Sequence, residues 1–230
     1  MSRFYIIATL LFSIPFVVNF YTPTEEINYF HSPQEKQAWT VMLDTIPDGY
    51  NGLFLLSNTC EECHGFDTLG VASVDPAGND INLIDDWKAT MMANSAKDPF
   101  WRAKVSHEIL VNPGHAVELE DKCTSCHAPQ GHHAAHQAGA AHYSIADMVS
   151  DNLALDGVSC AVCHQQTADS LGLKFSGNLT INGNDSVSYG PYFNMFAGPM
   201  NDFVGLSPDF GGHVFDGEFC ASCHTLITPP

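Results

Sequence analysis

Cys60-Glu61-Glu62-Cys63-His64, Cys123-Thr124-Ser125-Cys126-His127, Cys160-Ala161-Val162-Cys163-His164 and Cys220-Ala221-Ser222-Cys223-His224 use every cysteine of this chain. Each is a Cys-x-x-Cys-His run, the attachment motif of c-type haem: two thiols form thioether bonds and the adjacent histidine ligates the iron. Zinc half-sites, redox dithiols and disulfide frameworks also use paired cysteines, but none needs a histidine directly after the second cysteine. With 12 histidines in 230 residues, four such neighbours out of four would arise by chance about 7 times in a million. Disulfide frameworks also belong to much shorter chains. The expected cofactor is therefore covalently bound haem c (Fe), four per chain. The eight cysteines attach it, and His64, His127, His164 and His224 are the proximal iron ligands.

Charge narrows the function classes. The chain holds 26 acidic against 8 basic residues, a formal charge of −18. Four haems would add roughly eight propionate charges if all ionise. Such a surface repels nucleic acid and anionic lipid heads, and it suits encounter with basic protein partners.

The N-terminus reads as an export signal. Arg3 precedes an almost wholly apolar run from Phe4 to Phe20, broken by Ser13, Pro15 and Asn19. That run is short for a membrane span and typical of a secretory signal. No A-x-A cleavage site follows, so an uncleaved anchor is the alternative and the only expected tie to a membrane. The expected organisation is a signal peptide or anchor over 1–22, an N-terminal arm over 23–53, and a tetrahaem domain over 54–230. The expected location is periplasmic or extracellular.

Within that domain the pattern predicts a mainly α fold with extensive loops. A helix is expected from about Asp85 to Ala96. Asp98-Pro99 starts a second, running to about Leu110, because Asp caps well and Pro suits the first helical position. Asn112-Pro113 repeats the signal and leads a third helix towards Cys123. Ser144 to Asp151 is a short helical candidate. Between the third and fourth motifs, Leu173-Lys174-Phe175, Leu179-Thr180-Ile181 and Val187-Ser188-Tyr189 are strand-like. With Asn182-Gly183 as a turn, they predict a small β-hairpin near 173–190. With 18 glycines and 13 prolines, a chain this rich in loops needs its cofactors to supply buried surface, so the haem-free chain is expected to be unfolded or nearly so.

The second axial ligand separates a carrier from an enzyme. A histidine or methionine closes the iron for electron transfer, and an empty position leaves room for substrate. Eight histidines remain outside the motifs. His107 is expected to share an inward face with Phe100, Ala103 and Leu110. His115 and His213 each precede an attachment site by about two helical turns. Of the cluster His132, His133, His136 and His142, the favoured ligands are His132 and His142. The rest of such a tract can be a solvated face or bind metal adventitiously. His31 is expected to be exposed in the arm. Met91, Met92, Met195 and Met200 are the rival ligands, though methionines among aromatics more often pack. No other catalytic constellation stands out.

The segments Cys123 to Pro129, Asp156 to His164 and Glu218 to His224 resemble those of bacterial multihaem cytochromes c. These include the tetrahaem cytochrome of ammonia oxidation and the group sharing haem packing with hydroxylamine oxidoreductase. The resemblance covers about residues 55–230. It implies short helices around four haems stacked in close pairs and multi-step electron transfer in respiration. The implied partners are redox proteins, whether quinol oxidase or reductase or other cytochromes. It also implies continuation beyond the six residues that follow His224, so a C-terminal truncation is expected. Two other functions compete with the carrier: an oxidoreductase of the nitrite or hydroxylamine class with one open haem, and a homo-oligomeric subunit of an extracellular cytochrome filament. A ligand from a neighbouring chain, with His31 as the candidate, would mark the filament.

Overall fold

The computed structural model describes residues 47–181 and 186–227. The export signal, His31 and most of the arm lie outside that range. So does the Asn182-Gly183 turn. No helix among the described residues is long and apolar enough to cross a membrane.

The fold is mainly helical. In chain order the helices are α1 (Ser57–His64), α2 (Leu83–Lys88), α3 (Pro99–Val111), α4 (Ala116–His127), α5 (Pro129–Gln137), α6 (Ile145–Met148), α7 (Asn152–Leu155), α8 (Cys160–His164) and α9 (Gly217–His224). Local chemistry sets their ends. The Asp98 side chain accepts from the Phe100 N–H with Pro99 at the first position, and Ser144 and Asp147 form a reciprocal capping box on α6. A 3-10 turn, Pro113–His115, leads into α4, as Asn112-Pro113 predicts. The helix expected over 85–96 is shorter. Asn82 caps α2, and the Asn94 amide donates to the Lys88 and Thr90 carbonyls, so residues 89–97 turn instead.

The hairpin expected near 173–190 is not what the described residues form. β1 (Val187–Gly190) pairs in parallel with β2 (Ser207–Phe210), which lies beyond the expected span. A parallel pair needs a crossover of a dozen or more residues, and 191–206 supplies it. The 173–175 run is turn, and Ile181 makes a single antiparallel bridge to Gln166. The reason is local. Ser176 and Gly177 both have positive φ, which breaks a strand, and their N–H groups bond to the Thr225 and Ser222 carbonyls. Gly177 is obligatory there: a Cβ would stand 2.1 Å from Ser125 Oγ.

The core is thin. One cluster joins Ala96, Ala128, Tyr143, Met148 and Ala154, with Trp101, Ala135 and Ile145 packed against it. A second joins Phe54, Leu56, Leu153 and Ala161. Many large apolar side chains are left outside, among them Phe66, Leu69, Phe100, Leu110, Phe196 and Phe203.

Candidate functional site

All four Cys-x-x-Cys-His runs are helical, and α1, α4, α8 and α9 each end on the motif histidine. One turn of helix puts the two cysteines, three apart, on the same side and leaves the histidine at the exit. The tertiary structure then ties motifs together in two pairs. The first is Cys60 with Cys160. Buried Asp156, just before α8, accepts from both the N–H and the hydroxyl of Ser57 at the start of α1, each at 3.0 Å. Ser57 Oγ lies 3.7 Å from Cys160 Sγ, and the Cys60 and Cys160 thiols interact directly, which pushes Cys60 up and Cys160 down. The second pair is Cys126 with Cys223. Their thiol contact pushes Cys223 up, and Cys126 falls to about 7 chiefly through that same contact. All eight cysteines are free.

The second pair borders an apolar cavity of about 330 Å³. Its walls include Cys126, His127, Cys163, Cys220, Cys223 and His224. Three of the four motifs therefore open onto one space of the size that takes organic cofactors. Met91 and Met92 also line it. Their position follows from Gly157, whose positive φ and close approach to the Ala93 carbonyl bring the Met91–Met92 turn against Val158, which donates to the Met92 carbonyl at 3.0 Å.

The motif histidines differ in setting. His127 is half-buried and stacked on Trp101, with ring centroids 4.3 Å apart and planes 9° from parallel. Its Nδ1 faces the Ser95 carbonyl at 3.3 Å, and its own carbonyl accepts from Ser95 Oγ at 2.7 Å. Burial first, against the Ser95 bond and the Asp98 charge, lowers its pKa. A ring that donates through Nδ1 leaves Nε2 for a metal. His164 has the same arrangement, Nδ1 facing the Tyr189 carbonyl at 2.5 Å. His64, His164 and His224 are exposed, and only His127 is half-buried.

The distal candidates are scattered. The face carrying Phe100, Ala103, His107 and Leu110 points outward, against expectation: Phe100 is 86% and Leu110 79% exposed, and the His107 side chain 64%. Helix α3 intersperses apolar residues with Arg102, Lys104, Ser106, His107 and Glu108 around its circumference, so its pattern does not choose a face; it docks through Trp101 and Val105 instead. His115 and His142 are exposed. His213 packs edge-on to Tyr189, its Nε2 bonded to the Gln166 carbonyl at 2.8 Å. His132 and His136 converge on Asp121 from one face of α5. His133, on another face of α5, packs edge-on to Phe54, and burial lowers its pKa. Sequence reasoning passed over His133, although Phe54 stands three residues before the helix of the first motif. It also gave no role to Asp156 or Gln166. Gln166 spans the third and fourth motifs through Ser222 Oγ at 3.3 Å. Only a buried polar residue beside a motif signals such ties.

No known family model, curated protein or solved structure matches the chain.

Proposed function

We propose that the chain is an exported tetrahaem c-type cytochrome that carries electrons between redox partners outside the cytoplasm. The carrying observation is that all its cysteines sit on helical Cys-x-x-Cys-His turns, that Cys60 meets Cys160 and Cys126 meets Cys223 across motifs, and that the second of these pairs borders an apolar cavity. The donor set fits the cofactor. Eight thiols stand free for thioether bonds, and two of the histidines, His127 and His164, direct Nδ1 to a backbone carbonyl. The exposed apolar surface supports the same reading, since a chain that buries so few large side chains needs further apolar groups to cover them.

Haem supplies a reversible one-electron centre at each attachment. The chain orients it. Cys60, Cys63, Cys123, Cys126, Cys160, Cys163, Cys220 and Cys223 tether it, and His64, His127, His164 and His224 hold the iron. The Trp101 ring and the Ser95 carbonyl fix the tilt and tautomer of His127. Distal ligands come from His107, His115, His132, His142 and His213, with His133 added by its place beside Phe54. His132 and His213 would first have to leave Asp121 and Gln166.

The test is spectroscopic. The chain, expressed in a cytochrome-maturing host, should show only low-spin iron. A high-spin iron that binds nitrite or carbon monoxide overturns the carrier in favour of an enzyme.

A further inference from the structure

Beside the attachment helices stands a group of three side chains, of which His132 alone is also a candidate ligand for an iron. Helix α4 brings Asp121 alongside the helix that follows it. On α5, His132 and His136 are four residues apart and so share the face that looks at Asp121. Asp121 Oδ1 lies 2.7 Å from His136 Nε2 and 3.3 Å from His132 Nε2. The three donor atoms all fall within 4.8 Å of one another.

Hydrogen bonding alone does not account for this geometry. Asp121 Oδ1 already accepts from the Tyr143 N–H at 2.8 Å and meets His136. His132 Nε2 points at the same oxygen but is not aligned to bond it, and this nitrogen is buried with no hydrogen-bond partner. A buried ring nitrogen left unpaired carries a desolvation cost of about 1–3 kcal/mol. A cation among the three atoms would satisfy it. Tetrahedral coordination at about 2.0–2.2 Å spaces neighbouring ligands by about 3.3–3.6 Å, which the His132 distance meets, whereas the His136 nitrogen would have to draw back from its present hydrogen-bond distance.

We propose that Asp121, His132 and His136 bind a divalent cation of the zinc class, separately from the four attachment motifs. Two imidazoles and one carboxylate suit zinc, copper(II) or nickel(II), and not calcium or magnesium, which want oxygen. The side chains are 18%, 33% and 28% exposed for His132, His136 and Asp121, so the group lies near the surface although the His132 Nε2 itself is buried. Burial keeps His132 below the usual histidine range despite the Asp121 charge. Burial works against the Asp121 carboxylate, but the His136 bond, the Tyr143 N–H and the charges of both rings outweigh it and hold Asp121 below its usual range. The Tyr143 N–H is the outer partner that fixes the carboxylate, a role that commonly decides metal affinity. Bound there, the ion would clamp α5 to α4 two residues before Cys123, where the second motif starts, and His132 would be a zinc ligand, not an iron ligand.

The test uses the full chain as matured. Chelator-treated protein is dialysed against zinc and the retained metal is counted by elemental analysis. One zinc per chain is expected. His136→Gln and Asp121→Asn should each weaken it by more than about 100-fold, exceeding the usual effect of an outer-shell change, with covalent haem content unchanged. Because Asp121 also anchors Tyr143, His136→Gln is the variant that decides if Asp121→Asn fails to fold. Wild type that retains no zinc overturns the proposal, as does zinc retained equally by the variants. A low-spin to high-spin change in His132→Ala also overturns it, since His132 would then serve an iron.

Discussion

Asp156 does two jobs with one carboxylate. It caps α1 from 99 residues away and lies beside the Cys60 and Cys160 thiols. Burial, opposed by the Ser57 bonds and the Lys97 charge, pushes its pKa up to about 6. The folded chain therefore keeps this proton up to about pH 6, whereas an unfolded aspartate loses it near pH 4. The folded state binds more protons in that window, so stability is full below it and falls as pH rises through it, by about 3 kcal/mol at most. In Asp156→Asn the amide oxygen still accepts from Ser57 while the titration is gone. Urea unfolding at a series of pH values should show a flatter profile between about pH 4 and pH 6 than wild type; an identical profile contradicts this assignment. Gly177 makes a second residue-scale prediction. A Cβ there meets Ser125 Oγ and lies 3.0 Å from Cys126 Sγ, at positive φ. Gly177→Ala should cost about 1–3 kcal/mol from overpacking alone, read as a lowered urea midpoint with an unchanged slope.

Among the elements, those whose ends are set by neighbouring side chains were the readable ones. Asp98-Pro99 starts α3 where the sequence says, and removing that cap in Asp98→Ala should cost about 1 kcal/mol of stability by thermal unfolding. The faces and pairings were not readable. Helix α3 carries apolar residues on every side, so nothing local says that Trp101 and Val105 dock while Phe100 and Leu110 face out. The strand pairing depends on a partner at Ser207–Phe210, beyond the reach of local turn signals. The four Cys-x-x-Cys-His runs were legible as units, since each lies on a helix that ends on its histidine; the haem chemistry read from their spacing is the proposal. Their pairing, Cys60 with Cys160 and Cys126 with Cys223, was not, because it rests on residues far apart in sequence: Asp156 bonds Ser57, and Gly177, packed against Ser125, bonds the Ser222 carbonyl. Trp101 links both levels, since it docks α3 and stacks on His127. Trp101→Ala should therefore weaken folding and shift the reduction potential of the second haem together, measured by unfolding and by spectroelectrochemical titration. A loss of stability with no change in any potential would make Trp101 a packing residue alone.

For the molecule as a whole, the balance between inside and outside is the informative quantity. Five of the fourteen buried apolar residues are alanines, while six phenylalanines, five leucines and two methionines among the described residues stay exposed. Covalent cofactors would cover part of that surface and cross-link segments far apart in sequence, and the two thiol pairs mark where they would lie side by side. The strongly acidic composition would favour basic partners over nucleic acid. The measurement that tests this account most directly is the intact mass of the chain matured in an exporting, cytochrome-competent host. The account predicts the mass of the polypeptide, less any cleaved signal, plus four covalently attached haems; a mass with fewer than four contradicts it.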